Sequence, residues 1–227
     1  MENPIESAKT NILGSLNVLE NCKNFGVKKI VFASTGGAIY GEAKIIPTPE
    51  DYPPQPVSPY GIEKLIVEHY LDFYKKEYNL DYLILRFANV YGPRQNSKGE
   101  AGVIAVFCDK MVAKNQPVIN GDGKQTRDFV FVDDVVRANI IAMEENESGV
   151  FNIATGVETD IGSIFRELKK AFNLKIQEVH GPQKAGEQKR SCLSFKKAKV
   201  KLNWQPEYNL NKGLEITKKW FQKKYEK

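Results

Sequence analysis

The stretch Ser58-Pro59-Tyr60-Gly61-Ile62-Glu63-Lys64 predicts the start of a helix around which the rest of the fold is arranged. Ser58 suits the N-cap, and Pro59 suits the first helical position, where its missing N–H is not needed. Residues four apart share a helix face, so Tyr60 and Lys64 can act on one small molecule. An ammonium group beside a phenol lowers the phenol's pKa from its usual value of about 10, which favours a general base. An apolar stripe at helical spacing lies nearly opposite this pair and consists of Ile62, Leu65, Ile66, Tyr70 and Phe73.

The Tyr-x-x-x-Lys spacing occurs three times in the chain, and only the Tyr60 copy opens a helix. The copy at Tyr40 and Lys44 is interrupted by a glycine, and the copy at Tyr208 lies among proline and asparagine residues. Both contexts are typical of turns, in which the pair has no fixed geometry. A solvated surface pair is the alternative interpretation of Tyr60 and Lys64.

Apolar strands that end in polar residues flank this helix in the sequence. Residues 28–33 form a short β-rich run that leads into Ser34-Thr35-Gly36-Gly37, which predicts a polar turn. Residues 81–87 form a second such run, and the proline-rich residues 42–57 predict an extended loop before the Tyr60 helix. Ligands of doubly wound sheets bind at the carboxyl ends of the strands, so the hydroxyls of Ser34 and Thr35 are candidate ligand contacts. An ordinary Ser/Thr/Gly loop is the alternative.

The remaining pattern predicts an α/β protein with a parallel sheet. Asn3 is a predicted N-cap of a helix that ends near Gly26. Asp133 is a predicted N-cap after strand 127–132, and Arg127 can grip a phosphate there or form a salt bridge to Asp128 or Asp133. Further strands are predicted within 117–123 and at 149–153 and 174–179, with helices at 103–114, at 159–172 and at the C-terminus.

The composition is that of an ordinary globular protein. The 227 residues are 41% hydrophobic and 27% charged, and no apolar run approaches the roughly 20 residues of a membrane span. The N-terminus has no signal pattern, so we expect a cytoplasmic protein. The three cysteines are widely spaced, which predicts neither a disulfide framework nor a metal site. Residues 165–227 hold 17 basic and 6 acidic residues, and solvated helix faces are a better interpretation of them than a nucleic-acid site.

Five stretches of the chain resemble extended short-chain dehydrogenases/reductases of the NAD-dependent epimerase/dehydratase type, closest to the UDP-glucose 4-epimerases. The stretches occur in family order and span nearly the whole chain. They are Asn11-Ile12-Leu13-Gly14, Val31-Phe32-Ala33-Ser34-Thr35-Gly36-Gly37-Ala38-Ile39-Tyr40-Gly41, the Ser58–Lys64 stretch, Leu85-Arg86-Phe87-Ala88-Asn89-Val90-Tyr91-Gly92-Pro93-Arg94, and Gln125-Thr126-Arg127-Asp128-Phe129-Val130-Phe131-Val132-Asp133-Asp134-Val135.

The resemblance implies the C-terminal part of a doubly wound, Rossmann-type parallel sheet plus a small α/β substrate-binding lobe. Residues 1–115 would belong to the NAD-binding domain and 116–227 mainly to the nucleotide-sugar lobe, with segments around 128–155 returning to the sheet. The strand, glycine-rich turn and helix with which family members begin are not among the 227 residues. We therefore expect an exposed sheet edge, and either a shortened chain or a partner that supplies this half. The resemblance also implies a homodimer formed through the Tyr60 and Asn11 helices.

The implied activity is UDP-sugar 4-epimerisation with NAD. Tyr60 would take the proton from the sugar 4-hydroxyl as hydride leaves C4 for nicotinamide, and hydride would return to the other face of the keto intermediate. Lys64 would hold the nicotinamide ribose, and Thr35 or Ser34 would hydrogen-bond the same sugar oxygen. The two glycines that follow Thr35 depart from the family's usual serines, which leaves open which hydroxyl acts.

Other positions are implied to bind the cofactor or the substrate. Those for the cofactor are Phe87, Ala88, Asn11 and Ser34, together with Tyr60 and Lys64. Asn89 and Arg127 would bind the substrate diphosphate. Lys184 and Glu187 would clamp the uridine ribose and phosphate, with a lysine where arginine is usual, which weakens the grip. The small Ser191 would admit an N-acetyl group on sugar C2.

Two other functions are compatible with parts of the pattern. A nucleotide-sugar 4,6-dehydratase or a related reductase resembles the epimerases, but the dehydratase needs an aspartate and a glutamate after the hydroxyl residue, where Gly36 and Gly37 stand. A non-catalytic nucleotide-sugar-binding remnant would bind UDP without NAD. Nicotinamide absorbance in the purified protein would favour the enzyme.

Overall fold

A three-stranded parallel sheet carries the Ser34 and Phe87 stretches at its carboxyl edge. The computed structural model of the chain describes residues 3–99, 101–183, 186 and 188–225. Its strands β1 (Lys29–Thr35), β2 (Asp81–Phe87) and β6 (Gly149–Ile153) lie in the order β1-β2-β6. Thr35, Phe87 and Ile153 are in register at the strand ends, so the polar residues around them meet at one edge.

Two smaller sheets build the rest of the site. Strand β5 (Thr126–Phe131) lies between β3 (Asn89–Tyr91), which is parallel to it, and β7 (Glu158–Asp160), which is antiparallel. Strand β4 (Ile119–Asn120) pairs in parallel with β8 (His180–Gly181). Because β3 follows β2 after one residue, the chain carries Asn89 directly from the large sheet to the β5 sheet.

Helices cover the sheets and connect their strands. They are α1 (Pro4–Ala8), α2 (Gly14–Asn24), α3 (Gly36–Ile39), α4 (Pro59–Tyr78), α5 (Val103–Val112), α6 (Val132–Glu144), α7 (Ile161–Ala171), α8 (Lys196–Lys201) and α9 (Leu210–Tyr225). A π-helical segment, Lys9–Leu13, joins α1 to α2. Within the residues described, none of the helices has the length and apolar character needed to cross a membrane.

The side chains of β2 alternate between two cores, as a sheet covered on both faces requires. Leu83 and Leu85 pack in a cluster with Phe151 of β6 and Ala138 of α6. The intervening Ile84 packs in a separate cluster with residues of α2 and α4. The doubly wound arrangement expected from the sequence is therefore present. A third cluster lies under α5, α7 and α9.

Several local predictions are corrected by the structure. Ser34 and Thr35 extend β1 instead of forming a turn, and Gly36 begins α3 because the Thr35 hydroxyl caps it. The predicted N-cap Asp133 lies inside α6, whose first residue is Val132. The strand predicted at 174–179 is not formed. Strand β8 follows these residues and is short, because its partner β4 spans only two residues.

The apolar stripe predicted for α4 does not form the buried face of that helix. Ile62 and Phe73 are 46% and 48% exposed. The buried face instead holds Val67 and Leu71 together with two carboxylates. The predicted N-caps Asn3 and Ser58 are confirmed, because Asn3 accepts from the Glu6 N–H and Ser58 caps α4.

Candidate active site

The first turn of α4 is fixed against the end of β1 and the backbone of α3. The Ser58 hydroxyl accepts from the Gly61 N–H at 3.2 Å and starts the helix. A Cβ on Gly61 would lie 2.5 Å from the Ala38 carbonyl oxygen, so only glycine permits this approach. The Lys64 ammonium donates to the Ala33 carbonyl oxygen at 3.0 Å and lies 4.7 Å from the centre of the Phe32 ring. Tyr60 and Lys64 therefore sit at the carboxyl end of β1.

The protonation of this pair differs from the sequence prediction. Burial raises the pKa of the Tyr60 phenol, and burial lowers the pKa of the Lys64 ammonium. The ammonium lies 5.8 Å from the centre of the Tyr60 ring while it donates to Ala33. The predicted lowering of the Tyr60 pKa is therefore wrong for this arrangement, because burial disfavours the charged phenolate.

The two candidate hydroxyls at the end of β1 have different surroundings. Ser34 is buried, and its hydroxyl donates to Glu68 Oε1 at 2.6 Å. Thr35 lines a cavity, and its oxygen accepts from the Ala38 N–H at 3.4 Å, which leaves its own proton to donate. Thr35 is thus the hydroxyl that is open to a ligand, while Ser34 is engaged inside the protein.

Two adjoining cavities lie at this edge and share Asn89 and Arg127. The smaller, of about 290 Å³, is bordered by Thr35, Gly37, Ala38, Val57, Ser58, Phe87, Ala88, Asn89, Arg127, Gly186 and Gln188. The larger, of about 530 Å³, extends between α5, β4 and β5 and takes in Gly102, Val103, Val118, Asn120, Gln125 and Phe129 among others. Asn89 and Arg127 therefore stand where a ligand that occupies both cavities would pass.

Of the other predicted positions, Phe87 and Ala88 border the smaller cavity. Ser191 is buried, with its hydroxyl oxygen 3.4 Å from the place of a Cβ on Gly37. The Asn11 amide donates to Glu63 Oε2 at 2.7 Å and is thereby held at the buried face of α4. Lys184 and Glu187 lie outside the described residues.

Segment 188–194 is held beside the site by hydrogen bonds that no pattern in the sequence predicts. Ser191 N–H donates to the Thr126 carbonyl at 3.2 Å, and Thr48 N–H donates to the Cys192 carbonyl at 2.9 Å. The segment therefore runs between β5 and the proline-rich loop. Gln188, which was also missed, borders the smaller cavity from this segment.

Asp128 has a structural role that the sequence did not predict. The sequence suggested it only as an alternative salt-bridge partner of Arg127. The carboxylate is 1% exposed and accepts from the N–H groups of Thr155, Gly156 and Leu193. Burial raises its pKa, which these hydrogen bonds oppose. An aspartate directly before the apolar run Phe129–Phe131 of β5 was the signal that could have revealed it. No group of metal-binding side chains occurs among the residues that the structure describes.

Known proteins resemble this chain over nearly all of its length. The sequence model of the NAD dependent epimerase/dehydratase family matches residues 1–154. The UDP-glucose 4-epimerase of Mycolicibacterium smegmatis is 39% identical over 225 residues, which are 99% of this chain and 72% of that protein. A crystal structure of UDP-glucose 4-epimerase from Thermotoga maritima with UDP-glucose is 49% identical, has a TM-score of 0.97, and matches 98% of this chain and 72% of that one. The UDP-N-acetylglucosamine 4-epimerase of Methanobrevibacter ruminantium, in complex with UDP-N-acetylmuramic acid, is 33% identical with a TM-score of 0.94, over 98% of this chain and 72% of that chain.

Proposed function

We propose that this chain, which belongs to the NAD-dependent epimerase/dehydratase family, is a UDP-sugar 4-epimerase that uses NAD. The observation that carries the proposal is the pair of cavities that meet at Asn89 and Arg127. One cavity ends at the Thr35 hydroxyl beside the Tyr60 helix, where a sugar ring can be held. The other is larger and can take a nucleoside. A guanidinium between them suits the diphosphate that joins these two parts of a nucleotide sugar.

The residues near Tyr60 fit a nicotinamide nucleotide. One of the three N–H groups of Lys64 donates to Ala33, so the ammonium has donors left for a ribose. Phe87 and Ala88 form an apolar wall beside Thr35. Bound NAD supplies a hydride acceptor and a positive ring charge.

Tyr60 is the proposed base, which removes the proton from the sugar 4-hydroxyl and later returns it. Thr35 is the proposed donor to the same oxygen, because its proton is free while Ser34 donates to Glu68. Asn89 and Arg127 hold the diphosphate in place, so that the sugar can turn while its nucleotide stays bound. Ser191, beside Gly37, is the proposed site that admits a group on sugar C2.

The dehydratase alternative finds less support at the start of α3. A Cβ on Gly36 would lie 2.2 Å from Leu193 Cδ1, so a carboxylate at this position requires the buried Leu193 to move. The chain thus has neither the acidic residues that a dehydratase needs after the hydroxyl nor free space for the first of them. The epimerase, which needs only the base and the hydroxyl, fits better.

The function is tested by following UDP-galactose by NMR with the purified protein and added NAD. We expect conversion to UDP-glucose, together with UDP binding in calorimetry. UDP binding without turnover in the presence of NAD would favour the non-catalytic remnant instead. Absence of both would contradict the assignment of the cavities.

A second copy of the chain is the proposed partner at the outer faces of α2 and α4. Large apolar side chains are exposed on these neighbouring helices, namely Val18 of α2 and Ile62 and Phe73 of α4, and Leu13 directly precedes α2. Exposed apolar side chains on packed helices can form an interface. Sedimentation velocity is expected to give a dimer, and a Phe73→Glu variant is expected to sediment as a monomer. A wild-type protein that sediments as a monomer would contradict this partner.

A further inference from the structure

A row of buried polar side chains crosses the large sheet one residue before its carboxyl end. Ser34 of β1 is in register with Arg86 of β2, and Arg86 is in register with Asn152 of β6. None of the three is more than 4% exposed. Buried polar groups are costly unless they are hydrogen-bonded, so the row needs partners on the same face of the sheet.

Glu68 of α4 is the partner that joins this row to the helix of Tyr60. Its carboxylate accepts two hydrogen bonds from Arg86, at 3.0 Å from Nε and 2.5 Å from Nη2. The same carboxylate accepts from the Ser34 hydroxyl at 2.6 Å. The side chains of Glu68 and Arg86 are both 5% exposed, so this is a desolvated, bidentate ion pair.

The other end of Arg86 continues the network. Its Nη1 donates to the Tyr40 hydroxyl at 2.7 Å, and Tyr40 in turn donates to Asn152 Oδ1 at 3.1 Å. The Asn152 amide donates to the carbonyl of Thr48 at 3.0 Å. The network therefore links α4, all three strands and the proline-rich loop.

The network lies on the same helix and the same strand end as the residues proposed to meet the sugar, including the base Tyr60. Glu68 follows Lys64 by four residues and Tyr60 by eight, which places it about 6 and 12 Å further along the helix axis. Ser34 directly precedes Thr35. The network thus fixes both the helix and the strand end whose side chains are proposed to meet the sugar 4-oxygen.

Removal of one charge from the network would leave the other uncompensated about 12 Å along the helix axis from Tyr60. A lone carboxylate near Tyr60 would oppose loss of the phenol proton, and a lone guanidinium would favour it. The other titratable groups that face the pair are Tyr40, Tyr82 of β2 and Glu50 of the proline-rich loop.

We propose that Glu68 and Arg86, with Ser34, form a positioning network that holds Thr35 and the Tyr60 helix together and adds no net charge of its own near the base, where the Lys64 ammonium already stands. The inference rests on the proposed role of Tyr60. It separates the two hydroxyls of β1, because Ser34 belongs to the network while Thr35 meets the ligand. A purely stabilising role is the competing explanation, although buried ion pairs often add little stability over apolar residues of similar volume.

The proposal is tested by titrating Tyr60 and monitoring its ionisation by NMR in protein labelled with ¹³C at the tyrosine Cζ. The Tyr60 signal is assigned with a Tyr60→Phe variant. Glu68→Gln leaves a positive charge and is expected to lower the Tyr60 pKa by about half a unit to one unit. Arg86→Met leaves a negative charge and is expected to raise it by a similar amount. The Glu68→Gln, Arg86→Met double variant removes both charges, and Tyr60 is expected to titrate as in the wild type.

Tyr225 of α9, whose pKa is raised by burial and by its hydrogen bond to Asp109, serves as the internal control and is expected to titrate unchanged in all three variants. Equal Tyr60 titrations in the wild type and Glu68→Gln, or shifts of one sign in both single variants, would overturn the proposal. If Arg86→Met does not fold, the downward shift in Glu68→Gln and its reversal in the double variant decide the question. The titration needs no turnover, so a failure of the epimerase assignment in the UDP and UDP-galactose experiments is recognised separately.

Discussion

Replacing Tyr60 with phenylalanine is expected to lower kcat for UDP-galactose about 100- to 10,000-fold, the usual contribution of a general acid–base group. The substitution removes only the phenol oxygen from a partly exposed ring at the start of α4. The Ser58 cap and the Lys64 contact with Ala33 do not depend on that oxygen. We therefore expect the melting temperature and the Kd for UDP to stay close to those of the wild type.

The matched control is Tyr78→Phe, which makes the same change at the other end of the same helix. Tyr78 is 45% exposed and packs its ring against Phe73 and Tyr74. The kcat of the Tyr78→Phe variant is expected to equal that of the wild type. Turnover of Tyr60→Phe at more than a tenth of the wild-type rate would remove Tyr60 from the role of base.

Replacing Arg127 with methionine is expected to weaken UDP binding about 10- to 100-fold, as the loss of charge-assisted hydrogen bonds to a phosphate group predicts. Arg127 borders both cavities at the point where they meet. Methionine keeps much of the aliphatic volume of arginine and removes the charged head. Calorimetry with UDP measures the change, and uridine, which has no phosphate, is expected to bind both proteins equally.

Arg166→Met is the control for this substitution, because Arg166 of α7 is not one of the described residues that border either cavity. Its guanidinium makes ion pairs with Glu178 and Asp160 at the surface, and such pairs contribute little to stability. The Kd of this variant for UDP is expected to match that of the wild type. Equal UDP binding by Arg127→Met and Arg166→Met would show that the diphosphate lies elsewhere.

The sequence was sufficient to predict the elements that position the site. Ser58 and Pro59 start α4 by local chemistry that does not depend on the rest of the chain. β1 and β2 are short apolar runs, and the predicted parallel pairing brings their carboxyl ends together. The placement of Thr35, Phe87 and Asn89 at one edge follows from that pairing, and the cavities confirm that these residues lie together.

Other features of the site depend on tertiary contacts and could not be predicted from the sequence. Ser34 and Thr35 are neighbours with the same chemistry, and only the buried Glu68 in the structure distinguishes them. The stripe of α4 that contains Ile62 and Phe73 has the helical period of a core face, yet these two residues face outward, because the carboxylates Glu63 and Glu68 on the inner face have hydrogen-bond partners there. Periodicity records which residues share a face, not which way the face points. The roles of all the candidate site residues, Asn11, Lys184, Glu187 and Ser191 among them, stay predictions.

The hydrogen bonds that hold segment 188–194 have a consequence for the order in which the protein folds. They join this segment to Thr48 and Thr126, which are distant from it in the chain. Contacts between distant residues require a large loss of chain entropy before they form, so they tend to form late. The strand pairings of the large sheet join residues 52 to 66 positions apart, whereas the contact between Thr48 and Cys192 spans 144 positions. We therefore expect segment 188–194 to reach the proline-rich loop after the sheet has formed. During refolding, UDP binding would then appear after the circular dichroism signal of the helices. UDP binding would therefore indicate the complete fold, whereas the helical signal indicates secondary structure alone.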